Sequence, residues 1–324
     1  MFIFILRRIG AMLATMVAMT FIVFYLVNLP GNLEKIAKTE SNMRMSDEEV
    51  ASWLERKGYN RPFLVRYGEW IAGTVQGDMG WSRVFRKPVR EVVGERLGHT
   101  GILMFWVMIV MVPSALTIGI LAGMREGSLL DRNLSVASIA STSAPEYVTG
   151  IVFTVIFASF FGYMAKDVGW WPDWLVFKGV AKAGKVTVEN FTLPVMTLAI
   201  YGMGYIARLT RASMVEVMTS QYIRTARLKG LSFRVVVLKH ALRNALITPF
   251  TVIMLQFPWL LSGVVIVEAM FNYKGFGFIL VSAAGNNDID LLLAISWVAV
   301  IVVLLTQLIS DIGYAYLNPR IRVK

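Results

Sequence analysis

The sequence predicts an all-α fold, a polytopic membrane bundle of six transmembrane helices. Its 324 residues are 56% hydrophobic and 16% charged, whereas soluble domains carry about 25% charged residues. The mean hydropathy is +0.61. The apolar residues also come in uncharged blocks of about 20 residues, the length of helix that crosses a bilayer. None of these blocks has the strict two-residue alternation of an outer-membrane barrel, so each is interpreted as a helix.

Six apolar blocks are the predicted spans. They cover residues 9–33, 101–124, a stretch within 133–165, 190–207, 249–267 and 291–309. The first ends at the breaker Pro30-Gly31. No small-residue cleavage site follows it, so we interpret it as a span rather than a signal peptide. Pro145-Glu146 interrupts the third block. Because proline breaks or kinks a helix, we expect a break or kink there.

Lysine and arginine set the predicted orientation, because short cytoplasmic loops carry an excess of both. With both termini inside, the cytoplasmic segments hold fifteen basic residues and the short outer loops hold five. The remaining twelve lie in a first outer loop that is too long to count. We therefore expect a multi-pass membrane protein with both termini cytoplasmic, and the family resemblance described below implies a bacterial or archaeal inner membrane.

This topology divides the chain into four predicted segments. Residues 1–33 form an N-terminal transmembrane helix, and 34–98 form an extracytoplasmic insert. Residues 99–316 form the membrane core, which includes a cytoplasmic loop at 208–248, and 317–324 form a cytoplasmic tail.

The outer insert has signals for two short helices. Ser46 and Glu49 form a capping box at the start of the first, and Gly58 suits its C-terminal stop. The second should begin at Pro62. It should have one apolar face, formed by Phe63, Tyr67, Trp70, Ile71 and Thr74. That face is either a docking surface for an external partner or a packing surface against the bundle.

The cytoplasmic loop 208–248 holds eight basic residues and one acidic residue, Glu216. Two helices fit it. The first begins near Ser220 and stops at Gly230 in a left-handed conformation. Ser232 caps the second, which should place Val235, Leu238, Leu242 and Ala245 on one face. Such a hairpin suits a rigid lever docked in another protein, and a loop that contacts anionic lipid head groups is the simpler alternative.

The residues of this loop resemble the coupling loop of ABC-importer permeases, and in particular the B-type permease subunit of peptide and nickel importers. The resemblance extends over nearly the whole chain. It rests on Arg7-Arg8, on Gly77-Asp78-Met79-Gly80-Trp81-Ser82 with Pro88-Val89 and Arg96-Leu97, on Ala207-Arg208-Leu209-Thr210-Arg211, on Tyr222-Ile-Arg-Thr-Ala-Arg-Leu-Lys-Gly230-Leu-Ser232 with His240-Ala-Leu-Arg-Asn-Ala-Leu246, and on the C-terminal stretch 311–322.

The resemblance implies a half-channel, with 99–316 as the permease core. A second homologous permease subunit would complete the pore, two ABC ATPase subunits would bind below it, and an extracytoplasmic solute-binding protein would deliver peptide cargo. ATP and Mg²⁺ would be bound by the ATPase partners, so this chain is expected to carry no cofactor and no catalytic or metal site. The residues implied in ATPase coupling are Tyr222, Arg224, Thr225, Ala226, Arg227, Lys229, Gly230 and Leu231.

Three other patterns in the sequence do not predict a further site. The stretch Gly179-Val-Ala-Lys-Ala-Gly184-Lys185 resembles a phosphate-binding loop. It lacks the Ser or Thr that binds Mg²⁺ and no strand precedes it, so we interpret it as coincidence. No metal-ligand spacing surrounds His99 or His240. The basic loop also lacks the aromatic residues of a nucleic-acid site, so no nucleic-acid partner is expected.

Two residues are candidates for the translocation pathway. Glu146 is ionisable within a long apolar stretch, and such residues are often functional in membranes. The alternative places it at the inner interface, because 147–165 alone is long enough to span. Gln256 interrupts span five. Gly119 and Gly123 have GxxxG spacing, which predicts close helix packing.

Three alternatives remain open from the residues alone. The cargo of the same permease could be a nickel chelate, an opine or another small solute. A self-sufficient secondary transporter or channel would need paired intramembrane charges or inverted repeats, and only Glu146 hints at that. A membrane enzyme would need a catalytic constellation, and the sequence has no convincing one.

Overall fold

The structure is a computed structural model that describes residues 2–40, 45–170, 172 and 176–317. Side chains are described for these residues except 2–5, 39–40, 262–263 and 314–317. The described chain is helical apart from its loops and one two-residue hairpin, in which β1 (Trp81–Ser82) pairs antiparallel with β2 (Lys87–Pro88). The predicted all-α fold class is confirmed.

Fifteen α-helices are described in chain order, and π-helical segments join two pairs of them. The helices are α1 Phe2–Val27, α2 Pro30–Glu40, α3 Asp47–Arg56, α4 Phe63–Val75, α5 Val89–Gly123, α6 Leu129–Ser143, α7 Glu146–Phe153, α8 Phe161–Lys166, α9 Val188–Met218, α10 Gln221–Leu228, α11 Phe233–Val235, α12 Leu242–Ala245, α13 Ile247–Met270, α14 Phe276–Gly285 and α15 Ile289–Leu317. The π segments are Thr154–Phe160 and Val236–Ala241.

Among the described residues, four helical stretches are long and apolar enough to cross a membrane. They are Leu6–Val27, Val89–Gly123, Glu146–Lys166 and Ile289–Gly313. A fifth arises if Phe233–Ala245 and Ile247–Leu261, which meet at a 50° bend, are counted together. The predicted fourth span lies within α9, which has 31 residues but is more polar than these stretches. The count of six spans therefore stays a prediction.

The first compact unit contains residues 1–100 and 274–305. Its core joins α1, α2, α3 and the start of α15 around Phe24, Ile36 and Trp53. The predicted capping box is present, because the Ser46 hydroxyl accepts from the Glu49 amide and the Glu49 carboxylate accepts from the Ser46 amide. Gly58 has a φ of 74° just after α3, as the predicted helix stop requires.

The apolar face of α4 packs inside this unit. The Phe63 ring lies edge-on to Phe21 with centroids 5.3 Å apart. The Tyr67 hydroxyl is 2.9 Å from the Thr20 hydroxyl, and Thr74 is buried. Because these side chains point towards α1 and the core, the structure supports the packing interpretation of this face over the docking one.

The second compact unit contains residues 101–273 and 306–324, and α9 runs through its core. Small residues let helices approach α9 closely. A Cβ at Gly119 would lie 2.4 Å from the Cβ of Thr210, and one at Gly123 would lie 2.6 Å from the Cβ of Met214. Since those distances are shorter than real Cβ contacts, both positions require glycine. The predicted close packing at the Gly119–Gly123 pair is confirmed.

Candidate functional site

The first candidate site is the hairpin from α10 to α12 in the second unit. Helix α10 directs Ile223 and Ala226, three residues apart, into a small core, where they are 0% and 5% exposed. That core also contains Met214 of α9 and Val236 of the π segment. Residues three apart lie on one helix face, so the rest of α10 points away from the bundle.

The end of α10 is fixed by backbone hydrogen bonds. The Gly230 amide donates to the Arg227 carbonyl at 2.9 Å, and the Leu231 amide donates to the Ala226 carbonyl at 3.4 Å. This is the Schellman arrangement, and it places Gly230 at a φ of 78°. A Cβ there would meet no atom within 4 Å, so backbone conformation rather than space requires the glycine. The predicted helix stop is confirmed.

The second helix of the hairpin corrects a prediction. The residues from 233 to 245 form α11, the π segment Val236–Ala241 and α12 rather than one regular helix. Leu238, predicted to share one face with Ala245, is 64% exposed, whereas Ala245, Val236 and Val237 are buried. The reason is that a π turn closes its hydrogen bonds from i to i+5. It therefore rotates the later residues away from the 3.6-residue register that the prediction assumed.

We define the coupling surface as the exposed residues of α10 and of the turn after it. It contains seven of the eight residues implied in ATPase coupling, namely Tyr222, Arg224, Thr225, Arg227, Lys229, Gly230 and Leu231. The eighth, Ala226, lies beneath this surface and is buried. The sequence analysis missed the exposed apolar residues Leu228, at 80% exposure, and Phe233. The coupling surface is thus both basic and apolar.

The hairpin is tied to the adjacent helices by polar contacts. The Asn244 side-chain amide donates to the Tyr222 hydroxyl at 2.9 Å and closes the hairpin. The buried Ser213 hydroxyl on α9 donates to the Ala245 carbonyl at 2.8 Å. These two hydrogen bonds anchor both ends of the hairpin.

An ion pair missed by the sequence analysis joins α6 to α9. The Arg211 guanidinium donates to the Asp131 carboxylate from Nε at 2.5 Å and from Nη2 at 2.7 Å. The Gly127 amide and the Ser135 hydroxyl also donate to this carboxylate, which is 4% exposed. The Arg211 guanidinium holds the pKa of the Asp131 carboxyl well below its usual range. Ser128, the N-cap of α6, was the local signal that could have drawn attention to Asp131.

The second candidate site is an open cleft of about 580 Å³ between α6, α9 and α13. Gln256, the predicted pathway residue on α13, lies in its wall and is 6% exposed. Tyr201 and Trp259 stack in the same wall, with ring centroids 5.2 Å apart. The other lining residues are Ile139, Thr142, Ser143, Gly202, Tyr205, Arg208 and Leu255. We call this the polar cleft.

Glu146, the other predicted pathway residue, does not line the polar cleft. It is the first residue of α7, directly after the N-cap Pro145, and is half-buried. A carboxylate in the first turn of a helix interacts favourably with the helix dipole. The structure therefore does not bring Glu146 and Gln256 together in one site.

The described part of the chain was predicted to hold no metal site and shows no cluster of metal ligands. There, no group of three or more histidine, aspartate or glutamate residues is placed to hold a metal ion. The stretch 179–185, which resembles a phosphate-binding loop, lies in a loop before α9, and no strand precedes it among the residues described after α8.

Comparison with known proteins agrees with this geometry. Residues 115–323 match the family model described as binding-protein-dependent transport system inner membrane component. The match covers more than half of the chain and includes both candidate sites. The chain belongs to this family. It is a transport permease subunit of a binding-protein-dependent ABC importer, a non-catalytic, multi-pass protein of the bacterial inner membrane.

Several curated relatives of this permease match along their full length. A glutathione transport system permease protein, GsiC, of Salmonella choleraesuis is 32% identical over 323 residues, which cover 99% of each chain. GsiC of Escherichia coli K12 is 31% identical over 324 residues. A probable peptide ABC transporter permease, y4tP, of Sinorhizobium fredii is also 31% identical over 324 residues, again with 99% of each chain covered.

Proposed function

We propose that this permease forms one half of a pore that imports peptides with energy from ATP. The observation that carries the proposal is the coupling surface, a rigid basic and apolar hairpin that no described part of the chain covers. Support for peptide cargo comes from relatives named for glutathione and peptide transport. Thr225-Ala226-Arg227, in place of the family's usual Glu-Ala-Ala, is a variant that we associate with the peptide branch.

The proposed complex contains three further kinds of subunit. A second homologous permease completes the pore, two ATPases bind ATP and Mg²⁺ and hydrolyse the nucleotide, and an extracytoplasmic binding protein delivers the cargo. Both termini and the coupling surface face the cytoplasm in this proposal. Support for that side comes from the basic residues of loop 208–248, since cytoplasmic loops are rich in lysine and arginine.

Coupling is proposed to work through α10 as a lever. The exposed side chains Tyr222, Arg224 and Leu228 would seat in a groove of an ATPase subunit, while Ile223 and Ala226 hold α10 to the bundle. When the ATPases close on ATP, α10 would move with them and push on α9 through the hairpin core. A bundle with two packings then shifts from one to the other, because ATP binding favours one of the two states.

In this proposal, the polar cleft forms this chain's part of the translocation pathway. Polar groups at membrane depth are costly when they face lipid, so Gln256 and Tyr205, which lie within predicted spans, should face water or protein, and Arg208 lies at the cytoplasmic end of the same cleft. In contrast, the exposed side chains of α1, such as Leu13, Val17 and Ile22, are apolar and suit lipid. Gln256 is therefore a pathway residue in this proposal, whereas Glu146 is an interfacial one.

The test is to purify the complex from its host and reconstitute it in liposomes. Native mass spectrometry should give one copy of this chain, one second permease and two ATPases. Uptake of a radiolabelled di- or tripeptide should require ATP and the binding protein. Uptake without ATP by the chain alone would support the secondary-transporter or channel alternative instead. ATP-dependent uptake of a nickel chelate or an opine, but of no peptide, would keep the permease and overturn the cargo.

A further inference from the structure

The polar cleft contains an arginine that the coupling hairpin does not use. Arg208 lies on α9, is exposed, and lines the cleft. It makes no hydrogen bond or ion pair with any residue that the structure describes. Arg211, one turn further along α9, is held by Asp131. The two arginines are therefore not equivalent, and only Arg208 presents a free guanidinium to the cleft.

The charge of the cleft is positive. Its lining residues all lie in the described part of the chain, and they include one basic side chain and no acidic one. A concave site lined by one sign of charge within low-dielectric walls concentrates ions of the opposite sign. An anion that enters the cleft is therefore stabilised by Arg208, and a cation is not.

A second side chain in the cleft also lacks a partner. Gln256 is 6% exposed and forms no hydrogen bond with the described residues. Its Oε1 atom would lie 3.6 Å from a Cβ at Gly202, so this amide packs against the backbone of α9 at that glycine. A buried amide without a hydrogen bond is unfavourable unless a ligand or water supplies the bond. Gln256 can donate to a peptide carbonyl and accept from a peptide amide.

The third feature is an aromatic wall. The rings of Tyr201 and Trp259 stack at an interplanar angle of 15°, so they form one flat apolar platform beside Gln256. At about 580 Å³, the cleft is in the range of about 300–1,000 Å³ that is usual for small-molecule sites. A guanidinium, an amide and an aromatic platform together complement a short peptide, which carries a carboxylate, backbone amides and side chains.

We infer that the polar cleft binds a passing peptide by its carboxylate, with Arg208 as the residue that selects the anion. Arg208 forms the charge-assisted bond to the carboxylate, for which the planar guanidinium is well shaped. Gln256 pairs with the peptide backbone, and the Tyr201–Trp259 platform contacts the apolar part. This inference rests on the proposed function, because it assigns the substrate chemistry of the same cleft.

The absence of cysteine from the chain permits a direct test. The variant Gln256→Cys is made in the permease–ATPase complex and labelled with anionic and cationic methanethiosulfonate reagents, without the binding protein. The anionic reagent should react preferentially. The added change Arg208→Gln should lower the anionic-to-cationic rate ratio about tenfold, and Arg208→Lys should largely keep it. Arg132→Gln, which removes an exposed charge outside the cleft, is the matched control and should leave the ratio unchanged.

Peptide protection then tests the ligand. Alanyl-alanine should slow the labelling of Gln256→Cys, and Arg208→Gln should raise its half-protecting concentration about tenfold. Alanyl-alanine amide, which lacks the carboxylate, should protect poorly and should be insensitive to Arg208→Gln. Equal protection by the acid and the amide would overturn the inference. An anionic-to-cationic rate ratio that is unchanged by Arg208→Gln would also overturn it. A partner subunit would then be neutralising the charge of Arg208.

Two results separate this inference from the proposed function. If neither Gln256→Cys nor Tyr205→Cys is labelled in a complex that takes up peptide, the cleft is not aqueous and both the pathway and this inference are wrong. If the wild-type complex takes up no peptide, the proposed cargo is wrong, whatever the labelling shows. Co-purification of the ATPase subunits with Arg208→Gln would show that the substituted complex is assembled.

Discussion

Arg208 and Arg211 have the same side chain, lie on the same helix and differ in what they contact. Arg211 is locked to a buried carboxylate, whereas Arg208 faces an open cleft. Both arginines belong to the one motif at 207–211 on which the family resemblance rests. The sequence pattern therefore could not show that Arg211 is held in an ion pair while Arg208 faces the cleft. The difference arises from Asp131, which lies 80 residues away in sequence.

The ion pair predicts a specific loss of stability. Asp131→Asn leaves the partly buried Arg211 without its counter-charge, and removing one partner of a buried pair costs about 3 kcal/mol. We expect a lower thermal unfolding midpoint for the detergent-purified complex, followed by tryptophan fluorescence. Glu216→Gln, on an exposed acidic residue of α9, is the control and should have little effect.

The same pair predicts a pH dependence. Because the pKa of the Asp131 carboxyl is lowered on folding, its stabilisation is complete above the unfolded value of about 3.9. The stabilisation is lost only as pH falls further, through the folded pKa. The difference between wild type and Asp131→Asn should thus be constant from neutral pH to about pH 5 and should shrink in stronger acid. A difference that vanished already between pH 7 and 6 would contradict this account.

Ala226 and Thr225 are neighbours with opposite environments. Ala226→Glu would bury an unpaired carboxylate in the hairpin core, which is strongly unfavourable, so α10 should separate from α9. We expect ATP-dependent uptake to fall by more than about tenfold, with the protein still in the membrane. Thr225→Glu adds the same charge at an exposed position and restores the family's usual residue there, so it should retain most of the uptake. Equal uptake in both variants would disprove the lever.

At the scale of elements, the sequence predicted those features that depend on nearby residues. The capping box at Ser46, the stop at Gly230 and the start of α10 all follow from side chains within a few positions. The π segment Val236–Ala241 of the coupling hairpin was not predicted. Apolar periodicity assumes 3.6 residues per turn, and nothing in the local sequence marks the wider π turn. Nor could the polar cleft be predicted as a site, since its walls come from three helices that only the fold brings together.

The outer hairpin gives an element-scale prediction in the first unit. The Ser82 hydroxyl and the Val84 amide both donate to the Asp288 carboxylate, which precedes α15. Gly80 has a φ of 81°, and a Cβ there would lie 2.6 Å from Oδ2 of Asp290. The signature motif 77–82 is thus explained as a clamp that holds β1 and β2 against the start of α15.

Gly80→Ala should open this clamp, since it adds both a clash and left-handed strain of about 1–2 kcal/mol. Hydrogen exchange should accelerate at the amides of Trp81 and Val84, while the coupling hairpin keeps its protection. Gly68→Ala in α4, where no atom lies within 4 Å of the new Cβ, is the control. Unchanged exchange in Gly80→Ala would mean that the backbone relaxes around the extra carbon.

At the scale of the whole molecule, the number of spans decides the topology. The described residues contain four membrane-capable stretches, or five if the bent pair is one span, whereas the sequence predicts six. Only an even number of spans places both termini on the same side of the membrane. The difference lies in α9, whose predicted span at 190–207 is more polar because it carries the cleft residues Tyr201 and Tyr205. A pore-facing helix is shielded from lipid on one side, so low apolarity is what a pathway helix should have.

Residues on either side of α9 give the direct test. Single cysteines at exposed Lys182 and Thr225 are labelled in intact spheroplasts with a membrane-impermeant maleimide. If α9 spans, Lys182→Cys should react from outside and Thr225→Cys only after lysis. Ser52→Cys, in the outer insert, and Arg132→Cys, before the third span, are the external and internal references. Labelling of both Lys182→Cys and Thr225→Cys from one side would show that α9 does not cross, and the coupling surface could not then lie opposite the binding protein as proposed.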